Sequence, residues 1–213
     1  SVTTGGGNTA LGKEALEDST TGDYNTAVGM QALRKNTTAD HNTALGYAAL
    51  DANTTGTANI AVGNDSLGGN TTGGYNTAIG RVALAASTTA SNNLAIGYNT
   101  MTANTTGDLN VAVGNYALDA NTVGDRNVAV GYNALTAYNP DSNTDAYNVA
   151  VGYNAAGATT TGTANTAVGG LAMNANTTGA SNTTLGYGTL KTNTTASNNT
   201  AIGRDALELN ETG

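Results

Sequence analysis

Two aspartates spaced seventeen residues apart, Asp108 and Asp125, are the clearest candidates for ionic chemistry in this sequence. Stacked carboxylates could hold a divalent cation or share a proton, so the pair is a predicted metal site. The alternative is a solvated row of charges that Arg126 neutralises. Two carboxylates about 5–5.5 Å apart would also suit a retaining glycosidase, and Asp108 with Asp125 is the one pair nominated for that reaction.

A second candidate site combines aromatic and polar side chains around an irregular stretch of the chain. An exposed tyrosine offers a flat apolar ring and a polar hydroxyl, which suits contact with a sugar or a protein. The alternative is a tolerated loop insertion in which the tyrosines cover the edges of the fold. The predicted ligand-binding residues are Tyr132, Tyr138, Asp141, Asp145, Tyr147 and Tyr153.

Other catalytic signals are weak. His41 is the only histidine, which argues against a Ser-His-Asp triad or a multi-histidine metal site, and it is expected at the surface. The Asn-x-Thr sequons follow a repeated corner motif and are interpreted as structural. Neither the glycine-rich phosphate-binding motifs nor the calcium-roll nonapeptide is found in the sequence. The prediction is a protein that is not an enzyme and needs no cofactor.

Composition limits the class of protein and of partner. The chain has 213 residues, a formal net charge of −8, 29 glycines and neither cysteine, tryptophan nor phenylalanine. Such an acidic chain disfavours a nucleic-acid partner and an anionic membrane surface, since both require concentrated positive charge. No run of apolar residues approaches the eighteen that membrane insertion requires. A thin, regularly stacked core therefore replaces one built on large aromatic side chains.

A sequence repeat predicts the secondary-structure elements that must position these residues. The pentad Asn-[Thr/Val/Ile/Leu]-[Ala/Thr]-[Val/Leu/Ile]-Gly occurs twelve times, at intervals of seventeen residues except for one interval of twenty-one. An insertion that leaves its neighbours undisturbed is typical of a solenoid, and this one is placed at 138–145 in the eighth coil. The pentads begin at Asn8, Asn25, Asn42, Asn59, Asn76, Asn93, Asn110, Asn127, Asn148, Asn165, Asn182 and Asn199.

Each position of the repeat, counted from the pentad Asn, has a predicted role. Positions 4 and 9 hold Leu, Val, Ile or Met almost throughout and are expected to fill the core. Position 3 is Ala in all coils but one, where it is Thr184, and strand alternation places it on the opposite face. This Ala face is predicted to contact other copies of the chain. The asparagines at positions 1 and 12 are expected to form amide ladders, and the pentad glycine is expected where two backbones approach closely.

The pentads N-T-A-V-G-M at Asn25 and N-V-A-V-G-Y at Asn127 look like the S-V-A-I-G repeats in the heads of trimeric autotransporter adhesins. They resemble still more closely the N-T-A-[LVI]-G arrays of phage and bacterial tail-fibre-like proteins, which often end in an endosialidase-type chaperone domain that this sequence lacks. The resemblance covers nearly the whole chain. It implies a trimeric, left-handed parallel β-roll or β-prism used for adhesion.

The resulting prediction is an all-β parallel β-solenoid of about twelve 17-residue coils, one repeat domain over 1–213 that forms a homotrimer along the Ala face. Its function is that of a structural and adhesive fibre segment, extracellular, on a virion or cell surface. The expected partner is a glycan or surface receptor. Both ends match incomplete repeats, which favours a segment of a longer fibre. The alternatives are a polysaccharide-depolymerising tail spike and an ice-binding solenoid, the latter disfavoured because adjacent corner threonines would alternate faces.

Overall fold

The computed structural model describes residues 4–210, which wind into a parallel β-solenoid without any helix in that range. Twelve short strands form one sheet in sequence order, so the chain makes about eleven turns from the first strand to the last. These strands are β1 (Thr9–Leu11), β2 (Thr26–Val28), β3 (Thr43–Leu45), β4 (Ile60–Val62), β5 (Thr77–Ile79), β6 (Leu94–Ile96), β7 (Val111–Val113), β9 (Val128–Val130), β11 (Val149–Val151), β12 (Thr166–Val168), β13 (Thr183–Leu185) and β14 (Thr200–Ile202). A separate pair joins β8 (Gly124–Asp125) to β10 (Thr144–Asp145).

The strand register confirms that one repeat makes one coil. Ala27 pairs with Ala44, seventeen residues later. Across the insertion, Ala129 pairs with Ala150, so the four extra residues leave the sheet in register. The predicted all-β parallel solenoid with a seventeen-residue coil is therefore confirmed.

The side of the sheet that forms the core is the reverse of the prediction. Ala27 at position 3 and Leu33 at position 9 are both fully buried within the single chain. Position 4 points outward instead, with exposed fractions of 47% for Leu45 and 67% for Ile202. Side chains at positions 3 and 4 do face opposite ways, as predicted. The interior of the coil is so narrow, however, that only the small alanine at position 3 fits opposite the leucine at position 9. The predicted contact between chains along the Ala face is wrong, because that face is the interior of the coil.

The outer surface of the twelve-stranded sheet is called the outward face here; it consists of the side chains at positions 2 and 4 of each coil. Position 4 is always Val, Leu or Ile. Position 2 is Thr in most coils but Val, Leu or Ile in the coils of β4, β6, β7, β9 and β11. Neither position carries a charged residue in any coil. The outward face is therefore a continuous two-column surface of aliphatic and threonine side chains.

The predicted amide ladders are confirmed. At position 1, the backbone N–H of Asn42 donates to Oδ1 of Asn25 at 2.9 Å. At position 12, Nδ2 of Asn53 donates to Oδ1 of Asn36 at 2.9 Å. Both ladders meet at one carbonyl, because Asn42 Nδ2 and Asn53 Nδ2 each donate to the oxygen of Gly56 at 3.0 Å. These buried amides thus anchor the corners that have asparagine at position 12.

The pentad glycine is required for two reasons. Gly80 has φ of +136°, and a Cβ added there would lie 2.2 Å from the carbonyl oxygen of Gly97 in the next coil. The close approach of backbones was predicted, whereas the positive φ was not. The corner glycine at position 15 differs, since Gly56 lacks a positive φ and Ala39 occupies the equivalent place.

Three further positions adopt the left-handed backbone region in almost every coil, namely positions 7, 9 and 17. In the third coil these are Ala48, Leu50 and Ala58, with φ of 52°, 53° and 56°. Left-handed residues turn the chain sharply without a hydrogen-bonded helix. The left-handed residues direct the segment that carries the buried position-9 leucine back toward the strand. The interior of the coil is narrow for this reason.

Candidate functional site

The insertion in the eighth coil splits the predicted ligand-binding cluster into three separate places. Tyr138 occupies position 12 of the repeat, where a ladder asparagine would stand, and is fully buried. Its ring packs over Gly124, whose added Cβ would lie 2.7 Å from Tyr138 Cε1. Within the described residues its hydroxyl has no hydrogen-bond partner. The prediction that Tyr138 contacts a ligand is wrong, because its side chain is buried inside the coil at this corner.

Burial changes the acidity of this tyrosine. Loss of solvent raises the pKa of Tyr138 from the ordinary 10.0 to about 12, and the carboxylate of Asp125 adds to the shift. Asp125 itself is only 7% exposed. The irregular coil therefore has the buried ring of Tyr138 beside the buried carboxylate of Asp125, and these two side chains do not line an open cleft.

A second part of the predicted cluster lies at the corner that precedes β11. Arg126 forms a salt bridge with Asp145, and the Tyr147 hydroxyl lies 3.4 Å from Asp145 Oδ2. The Arg126 guanidinium also sits over the Tyr147 ring at 5.9 Å from its centroid. Asp141, in the preceding loop, is exposed and lies outside this group. Arg126 and Asp145 thus neutralise each other, which leaves little charge for a ligand.

The third part contains tyrosines that the sequence prediction only partly recognised. Tyr132 and Tyr153, which follow β9 and β11, stack with ring centroids 5.8 Å apart. Two rings not predicted continue the row toward the N-terminus: Tyr116 lies 5.8 Å from Tyr132, and Tyr98 lies 5.5 Å from Tyr116. We call these four residues, Tyr98, Tyr116, Tyr132 and Tyr153, the tyrosine column. Burial, followed by the proximity of Tyr98 and Tyr132, raises the pKa of Tyr116.

The predicted metal-binding aspartates have a structural use. Asp108 Oδ1 accepts a hydrogen bond from the backbone N–H of Ser91 at 2.6 Å, and Asp125 Oδ1 accepts one from the N–H of Asp108 at 2.7 Å. Asp23 and Asp40 make the same contact in the first coils. Among the described residues, no three acidic, histidine or cysteine side chains gather closely enough to hold a metal ion. The carboxylates at position 16 thus join successive coils.

The corner threonines differ from the expectation of alternating faces. Thr55 is exposed and Thr54 is partly exposed, so both lie at the surface of a turn rather than on opposite sides of a strand. The hydroxyl of Thr54 donates to the carbonyl of Thr71 at 3.0 Å. In most of the described corners the first threonine is tied to the next coil in the same way. His41 is exposed, as predicted, and stacks on Tyr24 with centroids 5.2 Å apart.

Comparison of the chain with protein-family models, with curated proteins and with solved structures finds no match. Within residues 4–210, the structure has no helix with the length and apolarity needed to cross a bilayer. The outward face and the tyrosine column border each other in the central coils, and they are the two surfaces where apolar or aromatic side chains are exposed in successive coils.

Proposed function

We propose that this chain is a structural and adhesive fibre segment whose copies associate through the outward face. The observation that carries the proposal is a sheet surface that runs the length of the solenoid with aliphatic side chains in every coil and no charged side chain. Exposed apolar surface of this continuity marks an interaction site.

The size of the face supports a protein partner. Twelve strands spaced about 4.8 Å apart and three residues wide give a surface about 53 Å by about 10 Å, on the order of 500 Å². That area lies at the upper end of the apolar patches that monomers expose, and with a bordering rim it approaches the roughly 800 Å² per partner of a standard interface. Its large side chains include Leu11, Leu45 and Leu185, which are 68%, 47% and 51% exposed in the single chain.

A second copy of this chain fits the face well. When these narrow faces turn toward a common rotation axis, the repeat of one coil lets the side chains of neighbouring copies meet at the same spacing, and closed symmetry buries all copies equally. Three copies is the number that the resemblance to adhesin heads and tail fibres implies. The same resemblance supports an extracellular location on a virion or cell surface and an adhesive role.

Sedimentation of the purified chain tests the association. We expect an oligomer for the wild type and loss of that oligomer in Val113→Arg, which places a charge in the middle of the outward face. Thr55→Arg adds the same charge at an exposed corner and serves as the matched control, with no change in mass expected. A monomeric wild type, or an oligomer that tolerates Val113→Arg, would contradict the proposal.

The alternatives lose support for specific reasons. A depolymerising spike would need free carboxylates, yet one oxygen of each nominated aspartate accepts a backbone hydrogen bond. An ice-binding role would use regularly spaced threonines, but at position 2 the threonine row is broken by Ile60, Leu94, Val111, Val128 and Val149. A thermal-hysteresis assay distinguishes this last alternative from self-association.

A further inference from the structure

We propose that the tyrosine column binds a linear, uncharged oligosaccharide that lies along the solenoid axis. This inference rests on the proposed adhesive role and names the site and the ligand class for it. It moves recognition away from the inserted loop and onto the regular coils that contain β6, β7, β9 and β11.

The column is not a by-product of the repeat. Tyr98, Tyr132 and Tyr153 stand at position 6, whereas the coil between the first two has Asn115 at that position and supplies Tyr116 from position 7. Tyr116 reaches the row from a left-handed backbone conformation, with φ of 59°. Two different repeat positions thus contribute to one unbroken row of four rings, so the row is a property of these coils in particular.

The rings are accessible along the row. Tyr98, Tyr132 and Tyr153 are 36%, 45% and 57% exposed, and only Tyr116 is mostly covered by its neighbours. Successive centroids lie 5.5 to 5.8 Å apart. Tyr132 stacks on Tyr153, and the other two contacts are edge to face. The exposed parts of these rings combine aromatic carbon with hydroxyl groups, and a pyranose ring likewise combines C–H groups with hydroxyl groups.

Unpaired amides border the rings. Asn99, Asn133 and Asn154 stand at position 7 of the three coils whose tyrosine is at position 6. All three are partly exposed, and among the described residues their side-chain amides form no hydrogen bond, unlike the ladder asparagines of the core. Each amide can donate to one sugar hydroxyl and accept from another. The surface therefore offers polar contacts in three of the four coils alongside the aromatic ones.

Charge favours an uncharged ligand. Positions 6 and 7 of these four coils hold only Tyr and Asn, whereas the same positions elsewhere include Lys13, Glu14, Asp65 and Asp205. The cation next to the row, Arg81, is already placed over the Tyr98 ring at 5.7 Å from its centroid. The carboxylate of Asp119 acts on Tyr116, so the two charges that border the row, Arg81 and Asp119, are opposite in sign. A surface without net charge gives no electrostatic attraction for a strongly acidic polymer or a basic peptide.

A second copy of the chain is the competing occupant. The pentad glycine at position 5 turns the backbone between the outward face and position 6, so the column borders the proposed association surface instead of lying within it. Polar groups at the border of an interface remain accessible to solvent. The unpaired amides of Asn99, Asn133 and Asn154 there are consistent with a solvent-accessible strip beside the association surface, open to a glycan.

Binding of neutral hexasaccharides of glucose, N-acetylglucosamine, mannose and xylose to the full chain tests the inference, first on an array and then by calorimetry with the best binder. Tyr132→Ala should weaken that binding by about ten-fold or more, because it removes the ring that joins two halves of the row. Tyr132→Phe should weaken it by about two-fold to five-fold, since only the hydroxyl is lost. Tyr75→Ala, at a 67% exposed tyrosine outside the column, should leave it unchanged.

Sedimentation of each variant separates this inference from the proposed association. A monomeric wild type that binds a hexasaccharide through Tyr132 would remove the association and leave the glycan site standing. Absence of wild-type binding across the array, or binding that survives Tyr132→Ala, overturns the glycan site. A third outcome is that the wild type binds no glycan and that Tyr132→Ala changes the mass of the sedimenting oligomer. That result would also overturn the glycan site, and it would assign the column to contact between copies.

Discussion

Asn70 donates to Asn53 through its side-chain nitrogen at 2.9 Å, but its own side-chain oxygen has no donor among the described residues because the next coil has Ser87 in place of asparagine. The ladder at position 12 is broken here, and the serine hydroxyl is also buried without a partner. A serine is too short to span the spacing between coils. The two orphaned oxygens mark one of the interruptions in the row of amides at position 12, which Ser19, Tyr138 and Thr159 also interrupt.

Ser87→Asn should repair this defect and raise the free energy of unfolding by about 1–2 kcal/mol. The new amide would donate to Asn70 Oδ1 and accept from Asn104 Nδ2, which at present donates only to Gly107. The variant would have asparagine at position 12 and Ala90 at position 15. The solenoid already accommodates that pair at Asn36 and Ala39, where Asn36 Nδ2 donates to the carbonyl oxygen of Ala39. Denaturant unfolding measures the gain. Ser87→Ala, which restores no ladder bond, is the control, and a destabilised Ser87→Asn would contradict the role given to the ladder.

Gly80→Ala should destabilise the solenoid by on the order of 3 kcal/mol or more, since both the steric and the conformational costs are high. The added Cβ would lie 2.2 Å from the oxygen of Gly97, at φ of +136°. Gly157→Ala is the matched control, because its Cβ would lie 3.4 Å from the oxygen of Asn154, an ordinary contact, and its φ is not positive. The control should be neutral or stabilising by about 0.4–1 kcal/mol. Equal effects at both glycines would refute the close-approach argument.

The spacing of the repeat predicted much of the fold correctly. A fixed period of seventeen residues implies strands in register, and an asparagine that recurs at the same position implies an amide ladder. Both predictions succeeded because neither depends on the shape of the coil. Asn25 to Asn42 and Asn36 to Asn53 bear this out.

The inner side of the sheet was not predictable by the same reasoning. Alternation states only that Ala27 and Val28 face opposite ways. Which one is inside depends on the interior width, and that width is set by left-handed residues such as Leu33 and Gln31, with φ of 51° and 62°. Leucine and glutamine carry no local signal for that conformation, whereas asparagine at the equivalent Asn99 does.

The candidate site was predicted in part for a similar reason. Tyr138 stands eleven residues after Asn127, which is the ladder position, so counting along the repeat would have placed it inside. Proximity in sequence to the insertion suggested instead that it was exposed. Tyr116 went unrecognised because it stands at position 7, and only the three-dimensional path of the coil brings it between Tyr98 and Tyr132.

Tyr138 should make the solenoid sensitive to alkali. Its folded-state pKa, raised to about 12, exceeds the ordinary value of 10.0. A raised folded pKa means that ionisation favours the unfolded chain, so stability is complete below about pH 10 and falls as pH rises toward 12. Tyr138→Phe should reduce this loss and, because it removes a buried hydroxyl without a partner, should be neutral or stabilising at pH 7. Unfolding curves of both proteins from pH 7 to pH 12 provide the measurement. Parallel pH profiles would show that other tyrosines dominate the effect.

Asp108 should stabilise the chain as a hydrogen-bond acceptor and not as a metal ligand. Asp108→Asn keeps an oxygen for the N–H of Ser91, which now donates at 2.6 Å, and should retain stability within about 0.5 kcal/mol. Asp108→Ala removes the acceptor and should cost about 1.5–3 kcal/mol, the range for losing a hydrogen bond to a charged group. Asp141→Ala, in the exposed loop, is the control for loss of a carboxylate alone. Unfolding of the wild type with added calcium and with a chelator completes the test: a midpoint that rises with calcium, and no longer does so in Asp108→Asn, would restore the metal site.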